Sequence, residues 1–556
     1  MTTARNWNLI EVIVRNGIDY RDYEAILIPD GSGCSSRWLA VTWSQLAQFA
    51  YSIANTWIKQ FQHIIIEQKN KIGKPPVVGI FIPTNENSIT PYCVLASIGF
   101  TVLSIPTYLS DEYKISICER ENVQLIITEE PSVKWAMEYR KKVRNTEIHM
   151  LNTETETIVE YAASIHAGKV MEHVRNIDLS TALTRTTTFP VASPRLYLLS
   201  SGSTGSPKTI LWDKMRLKVG QKREMGSRLL SVHDCCSISM LASGLSRKQT
   251  SFSSFRLLPR AMKGLIDRIW AMGETPEEDN KKREHVEFLK SIGSLTCSGG
   301  PLDIVTYRKA LKLGIKIHIL YGTSEAGSVL ESDLTLIDEI WEDAAQSKLS
   351  EDKLENVYLV KTVDRCCRIH FEVVDGLCID GQAVYELVCD ANDPFFSSPR
   401  VANDGTKWRS GDLFRKKSAA THSRRVINGY LYEGRIASMV VLSTGKKVLL
   451  STVEAALGES LQDTGLDNVE LVIVGKTEAH LALLVKDFAG HGEALRNVLP
   501  RLCSQVASEL QYEELSFLSN RIYHLSEREQ FVYSMKETAC REPNYQLYSS
   551  DIRALV

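Results

Sequence analysis

The stretch with the plainest chemical capacity is "SSGSTGSPK", Ser200–Lys208, which follows the apolar run Leu196–Leu199. Small residues after a strand can aim backbone N–H groups and hydroxyls at phosphate oxygens, and a lysine adds a point charge. The stretch is not a P-loop. Counting from Gly202, the position before Lys208 is Pro207 instead of glycine, and proline brings no amide hydrogen. Nor is it a nucleophile elbow, because the run reads Gly202-Ser203-Thr204-Gly205. By itself it leaves two readings open, a phosphate grip or a polar linker.

The surrounding elements favour a ligand-binding arrangement. From Pro75 onward, β-like runs such as "PPVVGIFIP" alternate with helix-like ones, and "ISICERENVQLIITEE" repeats helix then strand. This alternation predicts parallel strands crossed by helices. Three Gly/Ser-rich loops, at 200–206, 298–300 and 322–327, each follow an apparent strand. In open α/β sheets ligands sit at the carboxyl ends of strands, so the three loops are expected to converge. The mixed charge run Thr275–His285 reads as a solvated helix face or loop. The region "SRKQTSFSSFR" shows no apolar strand. The last 120 residues or so hold their own strands ("VELVIVG", "AHLALLVKD") and a helix, which predicts a small α+β domain with its own core.

Length and composition bound the rest. The chain has 556 residues, enough for more than one compact unit. A net charge of −2 gives no sign of a nucleic-acid partner. Twelve cysteines lack any C-x-x-C pair or zinc-ligand spacing, and read as buried thiols in a reducing compartment. The N-terminus lacks the apolar core of a signal peptide, and no stretch reads as a membrane span. A cytoplasmic protein is expected. His318, on an apolar strand, reads as a satisfied core or pocket-wall histidine.

Five elements taken in order resemble those of the adenylate-forming superfamily: acyl- and aryl-CoA synthetases, adenylation domains of nonribosomal peptide synthetases, and luciferases. They are "SSGSTGSPK", "SGGPL" (Ser298–Leu302), "YGTSE" (Tyr321–Glu325), "SGDL" (Ser410–Leu413) and "EGR" (Glu433–Arg435). The ending "SMKETACR" places Lys536 five residues before Arg541. With "GRIASMVVLSTGKKVLLSTVE", which ends on Glu454, it is similar to the adenylating domains of aminoadipate-type and fungal carboxylic acid reductases.

The resemblance implies an α/β fold: a large N-terminal adenylating domain, 1–434, of parallel-type sheets flanked by helices, and a small α+β lid domain, 435–556. It implies ATP-dependent activation of a carboxylic acid as its adenylate, with release of pyrophosphate. Transfer to a thiol would follow, on coenzyme A or on the phosphopantetheine of a carrier-protein domain. Residue by residue, Thr204, Gly205 and Lys208 would handle the β- and γ-phosphates, with Ser203 in the same nucleotide-binding set. Gly299 and Gly300 would lie beside adenine, Tyr321 would stack on it, and Gly322 and Thr323 would complete that loop. Ser324 would donate to the α-phosphate and Glu325 would ligate Mg²⁺, a hard cation that prefers oxygen. Asp412 would accept from the ribose hydroxyls, with Arg435 at the same sugar, and Lys536 would stabilise the forming adenylate.

Two departures stand out. Relatives carry an aromatic-His element between the phosphate loop and "SGGPL"; here Leu241-Ala242 stand near its place and the region 239–262 is shortened. After Arg435, where relatives carry a charged hinge residue, stand Ala437 and Ser438. These departures motivate a second reading, an impaired adenylation-fold protein serving as a nucleotide-binding or interaction module. Retention of Thr204, Lys208, Glu325, Asp412, Arg435 and Lys536 favours the enzyme.

Overall fold

A computed structural model describes residues 9–29, 38–72, 74–82, 89–107, 109–129, 133–143, 146–169, 171–174, 176–186, 195–200, 208–212, 228–231, 252–273, 275–291, 295–363, 367–379, 381–393, 396–397, 406–466, 468–533 and 539–555. These fall into two compact units, one up to Phe255 and one from Arg256 onward.

The first unit is built on a sheet of β1 (Val77–Phe81), β2 (Thr101–Ser104), β3 (Val123–Thr128), β4 (Glu147–Met150), β5 (Arg195–Ser200) and β6 (Lys208–Trp212). Its order is β4-β3-β1-β2-β5-β6. All neighbours up to β5 are parallel, whereas β5 and β6 pair antiparallel. The central strand β1 is buried along its whole length, as its unbroken apolar run predicts for a sheet covered on both faces. The long helix α1 (Trp43–Ile72) and helix α2 (Ile89–Ile98) supply Trp57, Phe61, Leu95 and Ile98 to the core over this sheet. Among the described residues, no helix is long and apolar enough to cross a membrane.

The second unit carries a larger sheet. From this unit come β7 (Leu295–Ser298), β8 (Ile317–Thr323), β9 (Gly327–Ser332), β10 (Val360–Thr362), β11 (Ile369–Ile379), β12 (Gln382–Asp390), β13 (Lys407–Ala420) and β14 (Val426–Arg435). They run in the order β11-β12-β13-β14-β10-β9-β8-β7. β7 and β8 pair in parallel; from β8 outward the ladder is antiparallel, so this sheet is mixed. The crossover from β7 to β8 is helix α5 (Ile304–Leu313), reached after α3 (Pro259–Ala271) and α4 (Pro276–Ser291). The ends of α5 are set by sequence. Asp303 accepts a hydrogen bond from the Thr306 N–H at 2.8 Å, and Gly314 closes the helix in the left-handed conformation. Helix α6 (Leu334–Ala345) is capped the same way by Asp333.

One detail differs from the sequence reading. A strand does form at Phe252–Leu257. Its apolar residues Phe252, Phe255 and Leu257 are separated by Ser253, Ser254 and Arg256, so it lacked the continuous run that marked the other strands. The charge run Thr275–His285 is solvated as expected: from Pro276 on it lies on α4, whose buried residues, Val286 and Leu289, fall outside the run.

The C-terminal residues assemble their own core. Strands β15 (Met439–Val441), β16 (Lys447–Leu449), β17 (Val469–Val474), β18 (Ala482–Asp487) and β19 (Ile522–His524) join helices α7 (Leu450–Asp463) and α8 (Gly492–Glu509). On one side of the β17-β18-β19 sheet, Ile473, Leu483 and Val485 pack with Leu457, Leu499 and Val506. On the other, Val472, Val474 and Leu484 pack with Phe531, with Tyr548 at the end of α9 (Arg541–Leu547) and with Ile552 on α10 (Ser549–Leu555). Alternation along β17 feeds both cores.

Candidate functional site

The parallel pairing of β7 with β8 puts Ser298 opposite Leu320. The turn that leaves β7 therefore emerges beside Tyr321, at the carboxyl end of both strands. Gly299 takes φ +95° there, a conformation that glycine adopts without penalty. After Tyr321 the chain turns back into β9 with a register shift. A Cβ on Gly322 would lie 2.5 Å from the Gly327 carbonyl oxygen, so only glycine permits this close approach. The turn is tied by Thr323, whose Oγ1 accepts from the Ala326 N–H at 2.9 Å. Ser324 and Glu325, both half-exposed, sit on it, and the Glu325 carbonyl accepts from the Ser397 N–H.

Asp412 is the electrostatic centre. It stands opposite Arg435 across the β13–β14 ladder. Arg435 Nε donates to Asp412 Oδ1 at 2.7 Å, and the Tyr321 hydroxyl donates to Oδ2 at 2.6 Å. Asp412 is 4% exposed while the Arg435 side chain is 43% exposed, so Arg435 is the member of the pair that solvent reaches. A carboxylate has about four lone-pair positions, so these two donors leave acceptor capacity unused. The Asp412 charge holds the Arg435 guanidinium well above its ordinary pKa. Burial, then the Asp412 charge, pushes the Tyr321 hydroxyl upward, fixing it as a donor. The Tyr321 ring meets Phe414 edge-on at 5.1 Å and Tyr432 at 6.1 Å.

A second carboxylate shapes the turn before Asp412. Glu386, 5% exposed on β12, accepts from the Gly411 N–H at 3.0 Å and from Arg409 at 2.9 Å. Ser410 Oγ accepts from the Asp412 N–H and donates to the Leu387 carbonyl. Sequence reasoning missed Glu386, Phe414 and Tyr432. The signal for Glu386 was an acidic residue inside the apolar run "AVYELVC", where an unpaired charge would be costly.

Of the residues singled out by sequence, Tyr321, Asp412 and Arg435 are joined by direct hydrogen bonds. Gly299 and Gly300 lie on the neighbouring turn, and Gly322, Thr323, Ser324 and Glu325 on the turn after Tyr321. Lys208 opens β6 opposite Ser200, in the first unit. Ser203, Thr204, Gly205 and Lys536 lie outside the described residues, as do Leu241 and Ala242. No cluster of three or more acidic, histidine or cysteine residues able to hold a metal occurs among the described residues. A divalent cation held by Glu325 would thus take one protein carboxylate, which fits Mg²⁺ completed by phosphate and water oxygens. His318 is not satisfied as expected: its Nδ1 is buried without a hydrogen-bond partner, and burial pulls its pKa down, keeping the ring neutral.

No protein-family model matches the chain. No curated protein matches it in sequence. Solved structures do. The adenylation domain of the carboxylate reductase from Mycobacterium chelonae superposes with a TM-score of 0.64 at 17% identity, covering 99% of this chain and 91% of that one. The anthranilate CoA ligase AuaEII, in complex with anthranoyl-AMP, gives 0.64 at 12% identity over 99% and 98%. ATP-bound MatB from Rhodopseudomonas palustris gives 0.62 at 12% identity over 99% and 100%. At these identities the likeness establishes the fold alone, shared with these structures along nearly the whole chain.

Proposed function

We propose that this protein activates a carboxylic acid with ATP and passes the acyl group to a thiol. A carboxylate oxygen of the acid attacks the α-phosphorus, the bond to the β-phosphate bridging oxygen breaks, and pyrophosphate leaves with the electron pair. A thiolate, on coenzyme A or a carrier's phosphopantetheine, then attacks the acyl carbon and AMP leaves. The single observation that carries this reading is the bonded set Tyr321–Asp412–Arg435 beside the turn at Gly299. It offers an aromatic wall, a carboxylate with spare acceptor sites for a ribose, and a cation reachable from solvent.

Within this reading Asp412 and Arg435 hold the sugar, while Gly299, Gly300, Gly322 and Thr323 frame adenine beside the Tyr321 ring. Ser203, Thr204, Gly205 and Lys208 neutralise the outer phosphates, and Ser324 donates to the α-phosphate. The charge that develops on phosphate oxygens calls for such preplaced donors. Glu325 would hold Mg²⁺, which supplies charge neutralisation between phosphate oxygens. Residues 435–556 form the mobile lid, and Lys536 approaches the new bond when the site is complete. The self-contained packing of Leu457, Ile473 and Leu499 supports that partition.

The test is pyrophosphate release from ATP with a panel of aryl, α-keto, amino and fatty acids. Acid-dependent release that is lost in Asp412→Ala supports the proposal. ATP binding without turnover for any acid replaces it with the nucleotide-binding module.

A further inference from the structure

We propose that Arg260 is a positioning residue, latching the segment that leads into Lys536 onto the helix beside the Gly299–Gly300 turn. The inference rests on the role given to Lys536 above. Helix α3 starts at Pro259, whose Cγ would lie 3.4 Å from a Cβ placed on Gly300. Its first turn therefore abuts the turn that would hold adenine.

Arg260 follows in that same first turn, exposed and with no acidic residue beside it there. A cation at a helix N-terminus opposes the helix dipole, so this placement needs a compensating partner. The partner is Tyr533. The Arg260 guanidinium lies 4.5 Å from the Tyr533 ring centroid, a cation–π geometry. The Tyr533 hydroxyl in turn donates to Glu470 Oε2 at 2.6 Å. Burial pushes the Glu470 carboxyl upward, while the Tyr533 hydrogen bond and the Arg260 charge pull the other way. A cation on α3, a ring at the end of the chain's last described stretch before Lys536, and a carboxylate on β17 thus form one closed set.

The position of Tyr533 gives the set its meaning. Tyr533 pairs with Ala539 in an antiparallel bridge, and the Cys540 N–H donates to the Val532 carbonyl at 2.8 Å. Lys536 is the middle of the five residues between that pair. On the far side Arg541 grips Glu454 through two bonds of 2.5 and 2.6 Å and reaches Ser438 Oγ at 3.3 Å. Tyr533 and Arg541, which flank the span in sequence, are thereby each held. The Arg541 end is anchored wholly within the C-terminal residues, whereas the Tyr533 end is tied to α3. Arg260 thus joins Tyr533, three residues before Lys536 in sequence, to the helix whose first turn abuts the Gly299–Gly300 turn.

The test compares the full-length protein with Arg260→Gln, Arg260→Lys and Tyr533→Phe. In Arg260→Gln, amide hydrogen exchange over residues 530–541 should quicken about fivefold, the loss expected for one exposed cation–π contact. Exchange over the β17-β18 sheet should stay unchanged. Pyrophosphate release should fall about tenfold in kcat with KM for ATP within about twofold, as loss of orientation without loss of binding requires. Arg260→Lys, which keeps the charge over the ring, should restore both. Tyr533→Phe keeps the ring but loses the bond to Glu470, and should fall between. Unchanged exchange at 530–541 in Arg260→Gln overturns the latch, and quickened exchange with unaltered kcat overturns its positioning role. If the unaltered protein releases no pyrophosphate with any acid, the adenylation reading fails, and the exchange comparison still decides whether the latch exists.

Discussion

Asp412 concentrates the chemistry of the second unit into two oxygens. Its removal as Asp412→Ala leaves Arg435 without its carboxylate and Tyr321 with a buried, unbonded hydroxyl. Hydrogen bonds to a charged partner are worth about 1.5–3 kcal/mol, so AMP binding measured by calorimetry should weaken at least about tenfold. Tyr321→Phe should weaken it less, since the ring wall remains. Tyr321 also sets a pH limit. Its pKa is raised by burial and by Asp412, so the protonated hydroxyl is favoured in the folded state. The stability it contributes is fully present below the ordinary tyrosine pKa of about 10 and is lost only as pH rises through the raised value. Alkaline melting curves of the protein and of Tyr321→Phe should therefore converge above that range, not below it. Asp412, Arg435 and Tyr321 were legible in the sequence because short motifs carry them. Glu386 was not, because its job depends on the β12–β13 register that brings it to Gly411.

Elements were legible where periodicity was strong. The buried run of β1 and the helix-strand alternation after it led directly to a parallel sheet. Phe252–Leu257 escaped because Ser253, Ser254 and Arg256 interrupt its apolar residues, and the switch from parallel to antiparallel pairing at β8 has no local sequence mark. Caps are a testable case. Asp333 is 3% exposed, caps α6 and pairs with Lys361 at 2.6 Å. Asp333→Ala should cost about 1–2 kcal/mol in chemical denaturation, the usual scale for a lost N-cap. Although burial acts against it, bonding to Lys361 and Leu336 leaves the Asp333 pKa lowered. Its contribution is therefore present above the ordinary aspartate pKa of about 4 and disappears as pH falls through the lowered one. Asp333→Asn should flatten that part of the acid stability profile.

At the scale of the molecule, the C-terminal residues build cores on both faces of the β17-β18-β19 sheet. A fragment starting at Ile436 should consequently unfold cooperatively on its own, with a heat-capacity peak in calorimetry; a broad, non-cooperative melt would argue that these residues depend on the remainder of unit two. That independence is what a lid needs. The motifs at 203–205 and at 536 could be read as text, yet what they do depends on their meeting the Asp412 site, and that is a matter for chemistry. Exchange of labelled pyrophosphate into ATP reports reversible adenylate formation most directly. Acid-dependent exchange in the intact protein, abolished in Asp412→Ala and in Lys536→Ala, is the predicted result. Exchange that persists undiminished in both variants, or that no acid elicits while ATP binds, would contradict the assignment.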